Sequence, residues 1–180
     1  MRSVILGLNM TVDGYIGGPH GELDWMFPQF SEGYVRSTAE TLREIDTFLM
    51  GRVAYEGMAP YWPTAADEIA PIMNHAVKYV FSNSLTEAEW SNARLVTGDP
   101  VKLIAELKRQ PGKNIGIAGG ARFAQQIVQA DAIDEYRLAI HPVALGDGLR
   151  LFNGAHSLTI SHSESFDGGP VVNTYLRPAR

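Results

Sequence analysis

Three short apolar runs in this chain end in residues able to meet an anion. Asn114 to Ala118 runs into Gly119 and Gly120, after which Phe123, Ala124, Ile127 and Val128 recur at helical spacing. A glycine pair at a strand-to-helix junction opens backbone angles closed to other residues and removes the Cβ atoms that would hold a ligand off. The free N–H groups and dipole of the helix that follows favour negative charge, so Gly119, Gly120, Ala121 and Arg122 read as a phosphate cradle. A plain tight turn is the alternative. Asp46 to Met50 is followed by Gly51 and Arg52, whose planar guanidinium suits a phosphate; a surface ion pair with Glu56 is the alternative there. Val77 to Ser82 stops at Ser82, Asn83 and Ser84, side chains able to bond a ribose or phosphate, or simply to form a turn.

The loop from Gly17 to Pro28 joins Gly17, Gly18 and Gly21 to Trp25, Phe27, Glu22 and Asp24. That mixture suits a cover over an apolar ligand, with aromatics tucked into the core as the other outcome. Asp24, the acid best placed to lie over such a site, is the candidate proton donor or substrate hydrogen-bonding group, against a role as a loop cap.

The elements that must position these residues alternate. Ser3 to Met10 reads as a strand, Asp13-Gly14 as a turn and Tyr15-Ile16 as a short extended piece. Ser31 to Ile45 reads as a helix with Val35, Ala39, Leu42 and Ile45 on one stripe, and Asp67 to Ala76 as a short helix around Pro71. Ala93 to Thr97 is strand-like; Asp99-Pro100 caps a helix carrying Val101, Ile104 and Leu107, stopped by Pro111-Gly112. Strand and helix in alternation to residue 130 predict a mainly parallel sheet with helices on both faces, and ligands collect at the carboxyl ends of its strands. Beyond Asp131 the pattern changes. Ile133 to Val143, Ser157 to Phe166 and Val171 to Leu176 are strand-like without intervening helices, so they should form an antiparallel edge, connected through Gly146-Asp-Gly148 and Asp167-Gly-Gly-Pro170.

The 180 residues, 45% hydrophobic and 19% charged, suit a single domain over residues 1–180. A net charge of -5 disfavours nucleic acid and anionic membrane as partners. The absence of cysteine excludes a disulfide framework, a thiolate nucleophile and cysteine-ligated metals, and with no secretory or membrane-length apolar run a cytoplasmic protein is expected. No Gly-x-Ser-x-Gly, P-loop or His-Glu-x-x-His run occurs, and the five histidines are not spaced as a metal pair.

Four ordered stretches carry a resemblance: Thr11-Val-Asp-Gly-Tyr-Ile with Trp25 after it, Asp46-Thr-Phe-Leu-Met-Gly-Arg-Val-Ala-Tyr-Glu56, Val80-Phe-Ser-Asn-Ser-Leu85, and Gly119-Gly-Ala-Arg-Phe. In this order they resemble the dihydrofolate reductase-like superfamily. The tail Ile133 to Gly148 with Leu151-Phe152 is similar to the branch containing the C-terminal reductase domain of the bifunctional bacterial riboflavin-biosynthesis protein. The resemblance implies NADPH across the C-terminal edge of the sheet. Backbone groups of Asn9 and Ile16 would hold the nicotinamide carboxamide, Gly51 and Arg52 would face phosphate, Ser82, Asn83 and Ser84 the adenosine end, and Gly119, Gly120, Ala121 and Arg122 the pyrophosphate. Trp25, Phe27, Met58 and Trp62 would line the substrate slot. Ala54 stands where the family usually has threonine, and Ile140 and Ala65 replace polar partners of folate; Glu32, Glu40 and Glu44 are the candidates for the acid that folate needs on the first helix.

The expectation is therefore an NADPH-dependent reductase that passes a hydride to a small planar heterocycle such as a pyrimidine or pterin-like compound. The alternative is a non-catalytic nucleotide-binding or interaction module on the same fold. The apolar alternation Tyr136, Leu138 and Ile140 on a supposed edge strand predicts a homodimer, against a monomer whose edge is blunted by His141, Pro142 and Asp134-Glu135.

Overall fold

The computed structural model describes residues 1–178. In chain order the elements are β1 (Val4–Thr11), β2 (Tyr15–Gly17), a 3-10 turn (Asp24–Gln29), α1 (Glu32–Leu42), β3 (Ile45–Gly51), α2 (Arg52–Met58), α3 (Ala70–His75), β4 (Val77–Phe81) and β5 (Ala93–Val96). They continue with α4 (Pro100–Lys108), β6 (Asn114–Ile117), α5 (Ala121–Gln129), β7 (Glu135–His141), β8 (Leu149–Arg150), β9 (Thr159–Ser165) and β10 (Val171–Leu176).

The main sheet has the order β5-β4-β3-β6-β1-β7-β10-β9. All pairings from β5 to β7 are parallel, while β10 and β9 are antiparallel additions. This is the dihydrofolate reductase-like arrangement, and it brings the ends of β1, β3, β4, β6 and β7 to one edge. Helices cover both faces. Ile104 and Leu107 of α4 and Phe123, Ala124, Ile127 and Val128 of α5 join Val4, Leu6, Met10 and Leu138 in one cluster. Ala54, Tyr55 and Met73 pack with Phe48, Met50, Val80 and Trp90 in the other. At the edge opposite the strand ends, buried Arg2 bonds the Asp46 carboxylate, Thr47 Oγ1 at 2.7 Å and the Lys113 carbonyl at 2.6 Å, tying β1, β3 and β6 together at their starts.

Several boundaries differ from expectation for local reasons. Ser31 caps α1 by accepting from the Tyr34 N–H, but the helix ends at Leu42 and Ile45 opens β3. Of the expected stripe Ala39 and Ile45 are buried and Val35 and Leu42 partly so, while Tyr34, one step round from it, is buried as well. The helix around Pro71 starts at Ala70 because Asp67 Oδ1 takes the Ile69 and Ala70 N–H groups, and Asp99 caps α4 at Val101 as expected. The largest correction is β7. It pairs antiparallel with β10 but parallel with β1, so it is an interior strand, and the alternation Tyr136, Leu138, Ile140 lies on no edge. His141 is wholly buried and blunts nothing. The free edge on that side is β9, all seven of whose residues are exposed. Among the described residues no helix is long and apolar enough to cross a membrane.

Candidate functional site

Gly119 and Gly120 both adopt positive φ, 58° and 76°, so the turn between β6 and α5 uses the freedom that glycine provides. A Cβ on Gly119 would lie 3.4 Å from both Ala54 Cβ and Met58 Cε; one on Gly120 would lie 3.6 Å from Ala54 Cβ. Gly51 approaches the same place, since a Cβ there would lie 3.2 Å from Phe123 Cβ. Three glycines thus let the start of α2 pack against the start of α5. Gly120 is the N-cap of α5 and no side chain caps that end, which leaves its first-turn N–H groups to solvent or a ligand. Ala121 is partly buried there and Arg122 is exposed.

Arg52 and the serines are each engaged within their own segment. The Arg52 guanidinium donates to both Glu56 carboxylate oxygens, at 2.9 and 2.8 Å, the ion pair foreseen as the alternative for it. Ser82 Oγ accepts from the Ser84 and Leu85 N–H groups, so Ser82, Asn83 and Ser84 form a polar turn at the end of β4, with Asn83 and Ser84 exposed.

At the carboxyl ends of β1 and β7 lies a cluster that sequence reading missed. Oδ1 of Asn9 accepts from the Tyr34 hydroxyl at 2.6 Å and is 2.7 Å from Nε2 of His141. An amide oxygen only accepts, so His141 carries its proton on Nε2 and presents a bare Nδ1. That Nδ1 is buried and without a partner among the described residues. Burial holds the His141 pKa below its ordinary value and pushes that of Tyr34 up to about 12, leaving both neutral near pH 7. Trp25 meets the imidazole edge-on at 5.5 Å, Phe30 lies 6.0 Å from it, and Phe166 from the β9–β10 turn packs on Tyr34 at 5.6 Å.

The other expected residues are spread around this cluster. Trp25 donates its indole N–H to the Glu22 carbonyl and is partly buried over His141, so the loop acts as a cover there. Phe27 is 57% exposed and touches Phe30. Asp24 opens the 3-10 turn, exposed and without a hydrogen bond among the described residues. Ile16 is buried in the core, its backbone in β2. Met58 and Trp62 pack against the cluster around Phe48 and Met50, Met58 also against the glycine turn. Glu32, Glu40 and Glu44 are all exposed, Glu44 paired with Arg137, so the polar group that α1 brings to the site is the Tyr34 phenol. Ile140 faces away from the cluster, and its neighbour His141 takes the inward position that alternation along β7 assigns. Phe30, which rests on both Tyr34 and His141, also lines a cleft of about 350 Å³ with Glu32, Val35, Arg36 and Glu68.

Asp13, prominent in the Thr11–Ile16 stretch, has a structural task. Its carboxylate accepts from Thr11 Oγ1 and from the Leu145 and Gly146 N–H groups, which holds its pKa below the usual value and ties the loop after β7 to the end of β1.

Residues 2–172 match the family described as RibD C-terminal domain. The chain belongs to that family. Its place in the riboflavin-type branch of the dihydrofolate reductase-like superfamily follows. The uncharacterized protein YyaP of Bacillus subtilis (strain 168) is 32% identical over 182 residues, covering 97% of this chain and 94% of that protein. A putative riboflavin biosynthesis protein from Shewanella sp. PV-4 superposes with a TM-score of 0.75 at 25% identity, over 99% of this chain and 100% of that one. The deaminase/5-amino-6-(5-phosphoribosylamino)uracil reductase of Thermotoga maritima shares the fold at a TM-score of 0.71 and 15% identity; this RibD C-terminal domain chain covers 57% of its length and is itself covered over 98%.

Proposed function

We propose that this chain is an NADPH-dependent reductase that transfers a hydride to a small planar heterocycle of the pyrimidine or pterin type. The observation that carries the reading is the shared sheet edge: the uncapped start of α5 behind its glycine turn, and the Asn9–Tyr34–His141 cluster under Trp25 and Phe30. The reductase-like fold of the RibD C-terminal domain family supports it. The residues fit a dinucleotide. Glycines with positive φ clear the approach to a helix start of nine residues, where Gly119, Gly120, Ala121 and Arg122 would hold the pyrophosphate. Gly51 and Arg52 would face phosphate, Arg52 on leaving Glu56, and Ser82, Asn83 and Ser84 would meet the adenosine end. Backbone groups of Asn9 and Ile16 would hold the carboxamide. When bound, NADPH supplies the hydride, and the protein supplies position and exclusion of water. Trp25, Phe27, Met58 and Trp62 would bound the substrate, with Asp24 the acid nearest the cover in sequence.

A second reading, a non-catalytic nucleotide-binding module, is favoured by one observation: no carboxylate among the described residues bonds to Asn9, Tyr34 or His141. NADPH depletion with a panel of pterins, pyrimidines and quinones separates the two. Turnover selects the reductase; tight NADPH binding with no turnover selects the module.

We also propose that two copies associate along β9, as a homodimer. Its seven exposed residues and its unpaired outer backbone groups form a ready edge, with Ile160 56% exposed upon it.

A further inference from the structure

The side-chain amide of Asn9 is held at one end and free at the other. Its oxygen receives two hydrogen bonds, from Tyr34 at 2.6 Å and His141 at 2.7 Å. Its nitrogen has no partner among the described residues, yet it is not among their buried unpaired atoms, so it borders accessible space. Two such donors fixed at the end of a central strand would ordinarily be consumed by a neighbour.

Gly7 identifies that space. It lies two residues before Asn9 on the same face of β1, between β6 and β7 in the middle of the sheet. An interior strand position there should be covered, yet Gly7 is exposed, and nothing lies within 4 Å of where its Cβ would stand. The contrast is Gly116 on the adjacent β6, where a Cβ would lie 2.5 Å from the Phe48 ring. One glycine accommodates a neighbour; the other leaves a gap over the strand. The absence of a side chain at Gly7 gives a flat ring room to lie on the backbone.

We infer that Asn9 is a specificity-determining residue, whose Nδ2 donates to a carbonyl oxygen of a planar ring lying over Gly7. Tyr34 and His141 are positioning residues. They occupy the amide oxygen and so turn the donors outward, which selects ring carbonyls over ring amino groups. This inference rests on the planar-heterocycle half of the proposed function, and adds the hydrogen-bond polarity that the site reads.

Asn9→Asp tests it. A carboxylate can still accept from Tyr34 and His141, but it presents an acceptor to the ligand. By calorimetry, the wild-type protein should prefer 5-aminouracil to 2,4-diaminopyrimidine by at least about tenfold, and Asn9→Asp should reverse that order. Gly7→Ala, whose added Cβ meets nothing within 4 Å, should weaken both probes while the melting temperature stays near that of wild type. An unchanged preference in Asn9→Asp, or no binding of either probe by the wild-type protein, overturns the inference. NADPH is titrated separately. Its failure to bind would remove the reductase reading while the probe titrations still decide the role of Asn9.

Discussion

Asn9 and His141, 132 positions apart in the chain, are joined by a 2.7 Å hydrogen bond that spans the ends of two adjacent parallel strands. The bond fixes the imidazole as a neutral Nε2–H tautomer in a buried place. Burial lowers the His141 pKa from its ordinary 6.5, so just below pH 6.5 the unfolded chain binds more protons than the folded one. Stability therefore rises with pH in that window: the contribution is complete above about 6.5 and is lost as the pH falls toward the folded-state pKa. Melting curves from about pH 5 to about pH 7.5 should show it, and His141→Gln, which keeps a donor for Asn9, should flatten the slope. Equal slopes in the two proteins would remove His141 as the cause.

Gly120→Ala should fold and yet fail to bind NADPH. Its methyl group would stand 3.6 Å from Ala54 Cβ, an ordinary contact, so the cost to the fold comes from the backbone angles, φ 76° and ψ 100°, and is about 1–3 kcal/mol. In the proposed cradle the same methyl group would also hold the pyrophosphate off. Calorimetry returning the wild-type NADPH affinity would take away the cradle.

Arg52 and Glu56 form an exposed i,i+4 pair, so Arg52→Ala should alter stability by no more than about 0.5 kcal/mol. Its effect on ligands should be larger. If Arg52 turns to the 2′-phosphate, the substitution weakens NADPH by about 1.5–3 kcal/mol and NADH hardly at all, and Glu56→Gln, which frees the guanidinium, tightens NADPH. Equal losses for both dinucleotides would place Arg52 on the pyrophosphate.

The glycine turn and its helix are legible in sequence because strand, turn and amphipathic helix are contiguous, and each carries a local signature. The same holds for Asp99 at α4 and for Asp167-Gly-Gly-Pro170 between β9 and β10. Two features are not legible this way. Parallel pairing of β7 with β1 joins segments more than a hundred residues apart, and its apolar alternation looks the same on an edge as inside a sheet. The polar cluster is built from an asparagine, a tyrosine and a histidine contributed by β1, α1 and β7, so each reads alone as an ordinary surface or core residue. Tyr34 carries a faint signal as a large aromatic three residues after the helix cap. His141 has one only in company, as a polar residue closing an apolar strand.

Multi-angle light scattering decides the homodimer. At micromolar concentrations the mass should be about twice the 19.7 kDa of the chain, and a charged residue at Ile160, as in Ile160→Lys, should return it to one copy by opposing a like charge across a two-fold axis. A single-chain mass for the wild-type protein at every concentration would exclude association through β9.

Phe166 belongs to the hairpin whose outer strand is that free edge, and its ring rests on Tyr34, one of the two groups that aim the Asn9 amide. Ser37 of α1 also donates to Glu164 of β9, so the hairpin is tied to the helix that carries Tyr34. In a dimer formed along β9, self-association and ligand capture would share a free-energy cycle: whatever a second copy did to the angle of this hairpin would be felt at the tyrosine, and whatever a bound ring did to the tyrosine would be returned to the second copy in equal measure. Ligand affinity in such a dimer would vary with protein concentration, and dilution would become a form of regulation.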